Sequence, residues 1–136
     1  MQQLHILIVE DNEGDILLTS ETLEEGNLSK KISIARDGLE AINLLENSSS
    51  NIHELPDLVL LDINLPKING FTVLKHIKDS EPLSHIPVII LTTSSSPADR
   101  LLAAEYNACN YLTKPAEVID FIQAINEIGK FGKFAC

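Results

Sequence analysis

Three acids, a hydroxyl and an amine stand where apolar runs end, and together these groups could handle a phosphoryl group. Glu10 and Asp11 follow Leu4-His5-Ile6-Leu7-Ile8-Val9, and Asp62 follows Leu58-Val59-Leu60-Leu61. Thr92 follows Val88-Ile89-Ile90-Leu91, and Lys114-Pro115 follows the stretch from Ala108 to Leu112. Carboxylates packed together repel one another until some take protons or a cation joins them. A few hard oxygen donors suit Mg²⁺, which keeps several waters and also takes phosphate oxygens. Asp11 and Asp62 are expected as direct ligands, Glu10 as a ligand through water, and the backbone carbonyl of Asn64 as a third protein oxygen. A carboxylate can also attack phosphorus to give an aspartyl-phosphate. Phosphoryl transfer needs mostly positioning and charge neutralisation. Mg²⁺ would neutralise one side of the group, the Lys114 ammonium another, and the Thr92 hydroxyl would donate to a third oxygen.

Each of these residues also has a plain reading. Asp11 could cap a helix, Asp62 could be a turn residue before Pro66, Thr92 could be solvated, and a Lys-Pro pair is usually surface. Taken singly, the plain reading is preferred for most of them. Taken together, complementary chemistry at all four strand ends is improbable by chance.

The elements that position these residues follow from the apolar pattern. The three short, nearly continuous runs have the form of strands buried on both faces. Two weaker strands are expected at Ile32 to Ala35 and Ala108 to Leu112. Helices are expected over Asp15 to Glu25, starting near Asn12 or Glu13, and over Gly38 to Glu46 behind Asp37 as N-cap. Others are expected over Phe71 to Asp79, and over Pro97 to Tyr106 with proline in the first turn. The last shows the i, i+3, i+4, i+7 stripe in Val118, Phe121, Ile122, Ile125 and Ile128. The order βαβαβαβαβα implies a parallel sheet with helices on both faces. In such sheets sites form beyond the carboxyl ends of the strands, where strand order reverses. The stretch from Asn47 to Pro56 reads as an exposed polar loop, and the chain after Ile128 is expected to fray.

Composition narrows the function classes. The chain has 136 residues, 44% hydrophobic and 22% charged, which predicts one globular domain with a core over about 4–128 and a tail over 129–136. No apolar run approaches the ~20 residues of a membrane helix, and no leader pattern precedes the first run. The formal net charge of -10 repels phosphate backbones, so no nucleic-acid or membrane partner is expected. Cys109 and Cys136 form no spaced motif. Both are expected as free thiols in a reducing, cytoplasmic setting, with Cys109 a small core residue. The four histidines are scattered, and none is expected to pair with a second metal-type ligand.

The segments Ile8-Val9-Glu10-Asp11-Asn12, Asp57 to Pro66 with Gly70, Pro87 to Thr93, and Tyr111-Leu112-Thr113-Lys114-Pro115 together resemble the receiver domain of two-component response regulators. The resemblance runs from about Leu4 to Ile128. It implies a flavodoxin-like α/β fold, doubly wound, with five parallel strands in the order 2-1-3-4-5 and five helices. It implies that Asp62 is the phosphoacceptor, Glu10 and Asp11 the acidic metal-binding pair, Thr92 the switch hydroxyl, Lys114 the phosphate-sensing lysine and Tyr111 the switch aromatic. It further implies a cis Lys114-Pro115 bond. Val9-Glu10-Asp11-Asn12-Glu13-Gly14-Asp15 and the loop before Pro56-Asp57 are similar to single-domain regulators that accompany phytochrome-type sensor kinases.

For Tyr111 the plain reading is a packed strand residue. In the switch reading, Thr92 moves toward phosphate, Tyr111 turns inward, and a partner with differential affinity reads the changed face. Tyr111 stands three residues before Lys114 as the family pattern requires, and this part of the resemblance favours the switch. Ser94 and Asn64 flank the phosphoryl position without being evident bases for water, which predicts slow to moderate self-dephosphorylation. The function expected is a Mg²⁺-dependent signalling module, not an enzyme acting on an outside substrate. Its partners would be a sensor histidine kinase or phosphotransfer protein and a downstream target, and the sequence leaves open a homodimer through the last two helices. Two rivals stand beside it: an aspartate-nucleophile phosphohydrolase, disfavoured because Asp62-Ile63-Asn64 lacks a second carboxylate, and an inactive pseudo-receiver, disfavoured by the full set of site residues.

Overall fold

The computed structural model describes residues 3–48 and 54–131. Ten elements alternate: β1 (Leu4–Val9), α1 (Glu13–Glu25), β2 (Ser29–Ala35), α2 (Gly38–Ser48), β3 (Leu58–Leu61), α3 (Gly70–Asp79), β4 (Val88–Thr92), α4 (Pro97–Glu105), β5 (Asn110–Thr113) and α5 (Val118–Phe131). The strands form one parallel sheet in the order β2-β1-β3-β4-β5, the flavodoxin-like arrangement expected.

Side chains of successive strand residues point to opposite faces, so the continuous apolar runs feed two cores. On one face Leu7, Val9, Val59, Leu61, Val88 and Ile90 pack against Ala41 and Leu45 of α2 and Val73, Leu74 and Ile77 of α3. On the other, Ile6, Ile8, Leu58, Leu60, Ile89 and Leu91 pack against Leu23 of α1 and Phe121 and Ala124 of α5. Burying each such large side chain contributes about 2 kcal/mol.

Register then decides what meets at the sheet's carboxyl edge. Val9 pairs with Leu61 and Leu61 with Ile90, so Glu10, Asp11 and Asp62 emerge beside one another between β1 and β3, where strand order reverses. Thr92 pairs with Thr113, which brings Lys114 to the same edge. The helix starts are capped as the polar residues ahead of them suggest: Asn12 accepts from the Asp15 amide at 2.9 Å and Asp37 from the Glu40 amide at 2.8 Å. The polypeptide after β3 folds tightly onto α3. A Cβ at Gly70 would stand 2.4 Å from the Asp62 carbonyl oxygen, so only glycine lets the start of α3 approach the residue after β3.

Several boundaries differ from the sequence reading. β2 begins at Ser29 rather than Ile32, because exposed Lys30 and Lys31 lie on an edge strand and hide its start. β5 begins at Asn110 rather than Ala108, because the Ala108 amide bonds back to the Ala103 carbonyl at 3.0 Å and closes the end of α4. α2 continues to Ser48, while Leu55 and Pro56 are buried, so the ends of the expected polar loop belong to the fold; its residues 49–53 lie outside the described residues. α5 continues past Ile128 to Phe131, and the rest of the expected frayed tail lies outside the described residues. Cys109 is half-buried and disulfide-bonded, not the free core thiol expected; nothing in its spacing signals this. The reading of Cys136 lies outside the described residues.

Candidate functional site

Glu10, Asp11 and Asp62 each offer a carboxylate oxygen, and these oxygens lie within 4.8 Å of one another. Glu10 and Asp62 are buried and Asp11 is exposed, so the cluster opens to solvent on one side. Backbone amides fix two of the acids. Glu10 Oε2 accepts from the Asn12 amide at 3.1 Å, and Asp62 Oδ1 accepts from the Asn64 amide at 3.0 Å. Both are hairpin-tight contacts two residues along the chain, made where each strand turns toward its helix. Hard, clustered oxygen donors of this kind suit a hard divalent cation.

Lys114 reaches this cluster from the far side. Its backbone amide bonds the Thr92 carbonyl at 2.7 Å, and the Lys114-Pro115 bond is cis, as expected. The ammonium donates to Glu10 Oε1, to Asp62 Oδ2 at 3.1 Å and to Asp15 Oδ2 at 3.0 Å. Burial works to lower the Lys114 pKa, but its hydrogen bonds to Glu10, Asp15 and Asp62, with the attraction of the Asp62 charge, outweigh it and hold the ammonium above its ordinary value. Burial pushes Glu10 up, against the lowering effect of its Lys114 and Asn12 hydrogen bonds. The Lys114 side chain is 10% exposed and that of Asp15 37%, so Asp15 forms the outer wall of the cluster. Beside them a cavity of about 220 Å³ is lined by Asp15, Lys114, Thr93, Leu91 and Phe121.

A second arm of contacts runs away from Thr92, which is fully buried. Its hydroxyl accepts from the Ser94 amide at 3.4 Å. Ser94 Oγ donates to Asp99 Oδ2 at 2.6 Å, and the Ser94 carbonyl accepts from the Tyr111 hydroxyl at 2.9 Å. Arg100 lies over the Tyr111 ring, 4.5 Å from its centroid, and donates to Thr113 Oγ1 at 3.0 Å. Tyr111 is half-buried against the α2–α3 core.

Glu10, Asp11, Asp62 and Lys114 are thus brought together, and Thr92 and Tyr111 are joined through Ser94. Asn64 is held by its own amide to Asp62, with its side chain exposed. Asp15 and Arg100 went unrecognised in the sequence. Asp15 reads there only as the start of a helix and as part of a resembling segment, whereas it lies in the first turn of α1 on the site's side. The described histidines stand away from this edge. His5 is buried and its Nε2 bonds Ser33 Oγ at 2.8 Å. His76 pairs with Glu46 at 2.7 Å, brought together where α2 and α3 lie side by side, and among the described residues no histidine joins a metal-type group. His53 lies outside the described residues.

A family model for the response regulator receiver domain matches residues 6–126. A probable methanogenesis regulatory protein, FilR2 of Methanothrix harundinacea, is 38% identical over 126 residues, 93% of this chain and 81% of that protein. The response regulator Rcp1 of Synechocystis sp. is 37% identical over 127 residues, 93% of this chain and 86% of that protein. Its Mn²⁺-bound crystal structure superimposes with a TM-score of 0.74 over 98% of this chain and 96% of that one, at 35% identity. The bacteriophytochrome response regulator AtBRR superimposes with a TM-score of 0.80 over 95% of this chain and 94% of that one, at 38% identity.

Proposed function

The chain belongs to the response-regulator receiver family, and from that premise we propose that Asp62 is its phosphoacceptor and that Glu10, Asp11 and Asp62 hold Mg²⁺. The protein is a phosphoaccepting response regulator rather than an enzyme with an outside substrate. The observation that carries the assignment is the position of Asp62. It is buried at the sheet's switch point, one oxygen held by the Asn64 amide and the other by the Lys114 ammonium, within ligand reach of Glu10 and Asp11. Held by these residues, a divalent ion would supply positive charge for the phosphoryl oxygens. The Asn64 carbonyl is the proposed further protein oxygen for it.

In the proposed reaction an Asp62 carboxylate oxygen attacks the phosphorus of a phosphohistidine donor. The P–N bond breaks, and its electron pair returns to the imidazole. Lys114 neutralises one phosphoryl oxygen and the Thr92 hydroxyl donates to another. Movement of Thr92 toward that oxygen draws on the Ser94 segment that Tyr111 holds, and the face of α4, β5 and α5 changes for a protein partner. Self-dephosphorylation is slow to moderate, because Ser94 Oγ is committed to Asp99 and Asn64 is no base. Loss of label within seconds would contradict this.

The likeness to the bacteriophytochrome response regulator AtBRR supports a phytochrome-type sensor histidine kinase as the donor, and the exchange is proposed to take place in the cytoplasm. Among the described residues no helix is long and apolar enough to cross a membrane. Incubation with acetyl phosphate and Mg²⁺, read by intact mass, tests the acceptor: one phosphoryl group is expected on the wild type, and none with chelator or in Asp62→Ala. Transfer from a purified phytochrome-type kinase tests the donor, and no transfer at any Mg²⁺ level would remove that assignment.

A further inference from the structure

Lys114 faces a conflict that the acidic cluster alone does not resolve. Its ammonium donates to Glu10 and Asp62, the same carboxylates that a divalent cation would need. Two cations cannot share those oxygens closely without strong repulsion. For a metal to bind, the ammonium must withdraw from them, and a buried amine that withdraws without a partner incurs a large desolvation cost. Asp15 offers that partner. It is the outermost of the three acids on Lys114, it contacts the ammonium at 3.0 Å, and it does not belong to the group of oxygens that could hold the metal. The cavity lined by Asp15 and Lys114 supplies room on that side for the side chain to swing.

Resting on the metal-site reading above, we propose that Asp15 is a positioning residue: it takes the Lys114 ammonium when a divalent cation claims Glu10 and Asp62. Asp15 thereby strengthens metal binding through Lys114, although it is not itself a ligand. It also keeps the ammonium at the rim of the site, close to where a phosphoryl oxygen on Asp62 would need it.

The test is Mg²⁺ affinity measured by calorimetric titration in about 0.5 M KCl, where screening acts over roughly 4 Å and suppresses through-space effects between exposed charges. Four proteins are compared: wild type, Asp15→Asn, Lys114→Ala and the double variant. Asp15→Asn leaves the backbone amide that bonds Asn12 in place, so the start of α1 is retained. Asp15→Asn is expected to weaken Mg²⁺ binding about two- to five-fold, and Lys114→Ala to strengthen it. In the Lys114→Ala background the Asp15→Asn change should fall below about 1.5-fold. Asp15→Glu, which keeps the carboxylate, should recover most of the wild-type affinity. Equal affinity of wild type and Asp15→Asn overturns the proposal, as does an equal loss in both backgrounds, which would reduce Asp15 to a bystander charge. Absence of Mg²⁺ binding by the wild type would overturn the metal-site reading itself and this inference with it.

Discussion

Around Asp62 the contacts join charges to one another, whereas around Tyr111 they run mostly between neutral groups, with the Asp99 carboxylate on Ser94 and an exposed guanidinium on the ring. In the first region a single ammonium is shared by Glu10, Asp15 and Asp62, with Asp62 and Glu10 buried. In the second, a chain of hydrogen bonds passes from Thr92 through Ser94 to Tyr111, with Arg100 stacked outside. Charged contacts in a partly dry site are strong, and they respond to other charges such as a metal or a phosphoryl group. Neutral hydrogen bonds are each worth about 1 kcal/mol, small enough to exchange between two arrangements. In the proposed function, chemistry falls to the first region and readout to the second, and substitutions in the two should fail in different ways.

The largest effect should follow removal of the proposed acceptor. Asp62→Ala is expected to abolish phosphoryl uptake from acetyl phosphate, measured as intact mass, while the Tyr111 region keeps its contacts. Label at full yield on another residue would break the division at its root. Next comes Lys114→Ala, which leaves the buried acids without their cation. Breaking such a cluster from one side should cost about 3 kcal/mol at pH 7, measured by denaturant unfolding in chelator. Added Mg²⁺ should return part of it. The sign of the pH dependence follows from Glu10, whose pKa burial already raises above 4.5. Without Lys114 it rises further, so the neutral acid forms earlier on acidification. The penalty of Lys114→Ala should therefore shrink as pH falls from 7 toward 5, and a constant penalty would show that charge is not its source.

The same contrast explains what could be read from the sequence. β1, β3 and β4 were legible to within a residue because strands buried on both faces leave no polar interruption. β2, at the sheet edge, mixes Lys30 and Lys31 with buried positions, and its start was missed. Glu10, Asp11, Asp62 and Thr92 were legible because each stands at the end of such a strand, and Lys114 because a Lys-Pro pair follows the weaker fifth one. Asp15 was not, because its role depends on where a lysine 99 residues away places its ammonium. Arg100 was hidden for a similar reason: only the packing of α4 on β5 lays it over Tyr111.

Within the readout region, Tyr111→Phe removes the hydroxyl that bonds the Ser94 carbonyl but keeps the ring. The expected loss is about 1 kcal/mol of stability, with phosphoryl uptake by Asp62 nearly unchanged and binding of a phosphorylation-dependent partner weakened. A comparable fall in the rate of uptake would show that the two regions are not separable.

The smallest effect, and the sharpest distinction, concerns Arg100. Its guanidinium is exposed, so stacking on Tyr111 contributes on the order of 0.5 kcal/mol. A phenyl ring supports that stacking as a phenol does. Arg100→Ala should thus cost about as much in a Tyr111→Phe background as in wild type, and much less in a Tyr111→Leu background. Should the cost survive in Tyr111→Leu, it arises from the bond to Thr113 instead, and Arg100 steadies β5 rather than the ring. Should it persist only with the intact hydroxyl, the guanidinium acts on the Ser94 contact itself, and the readout arm is tuned by charge after all.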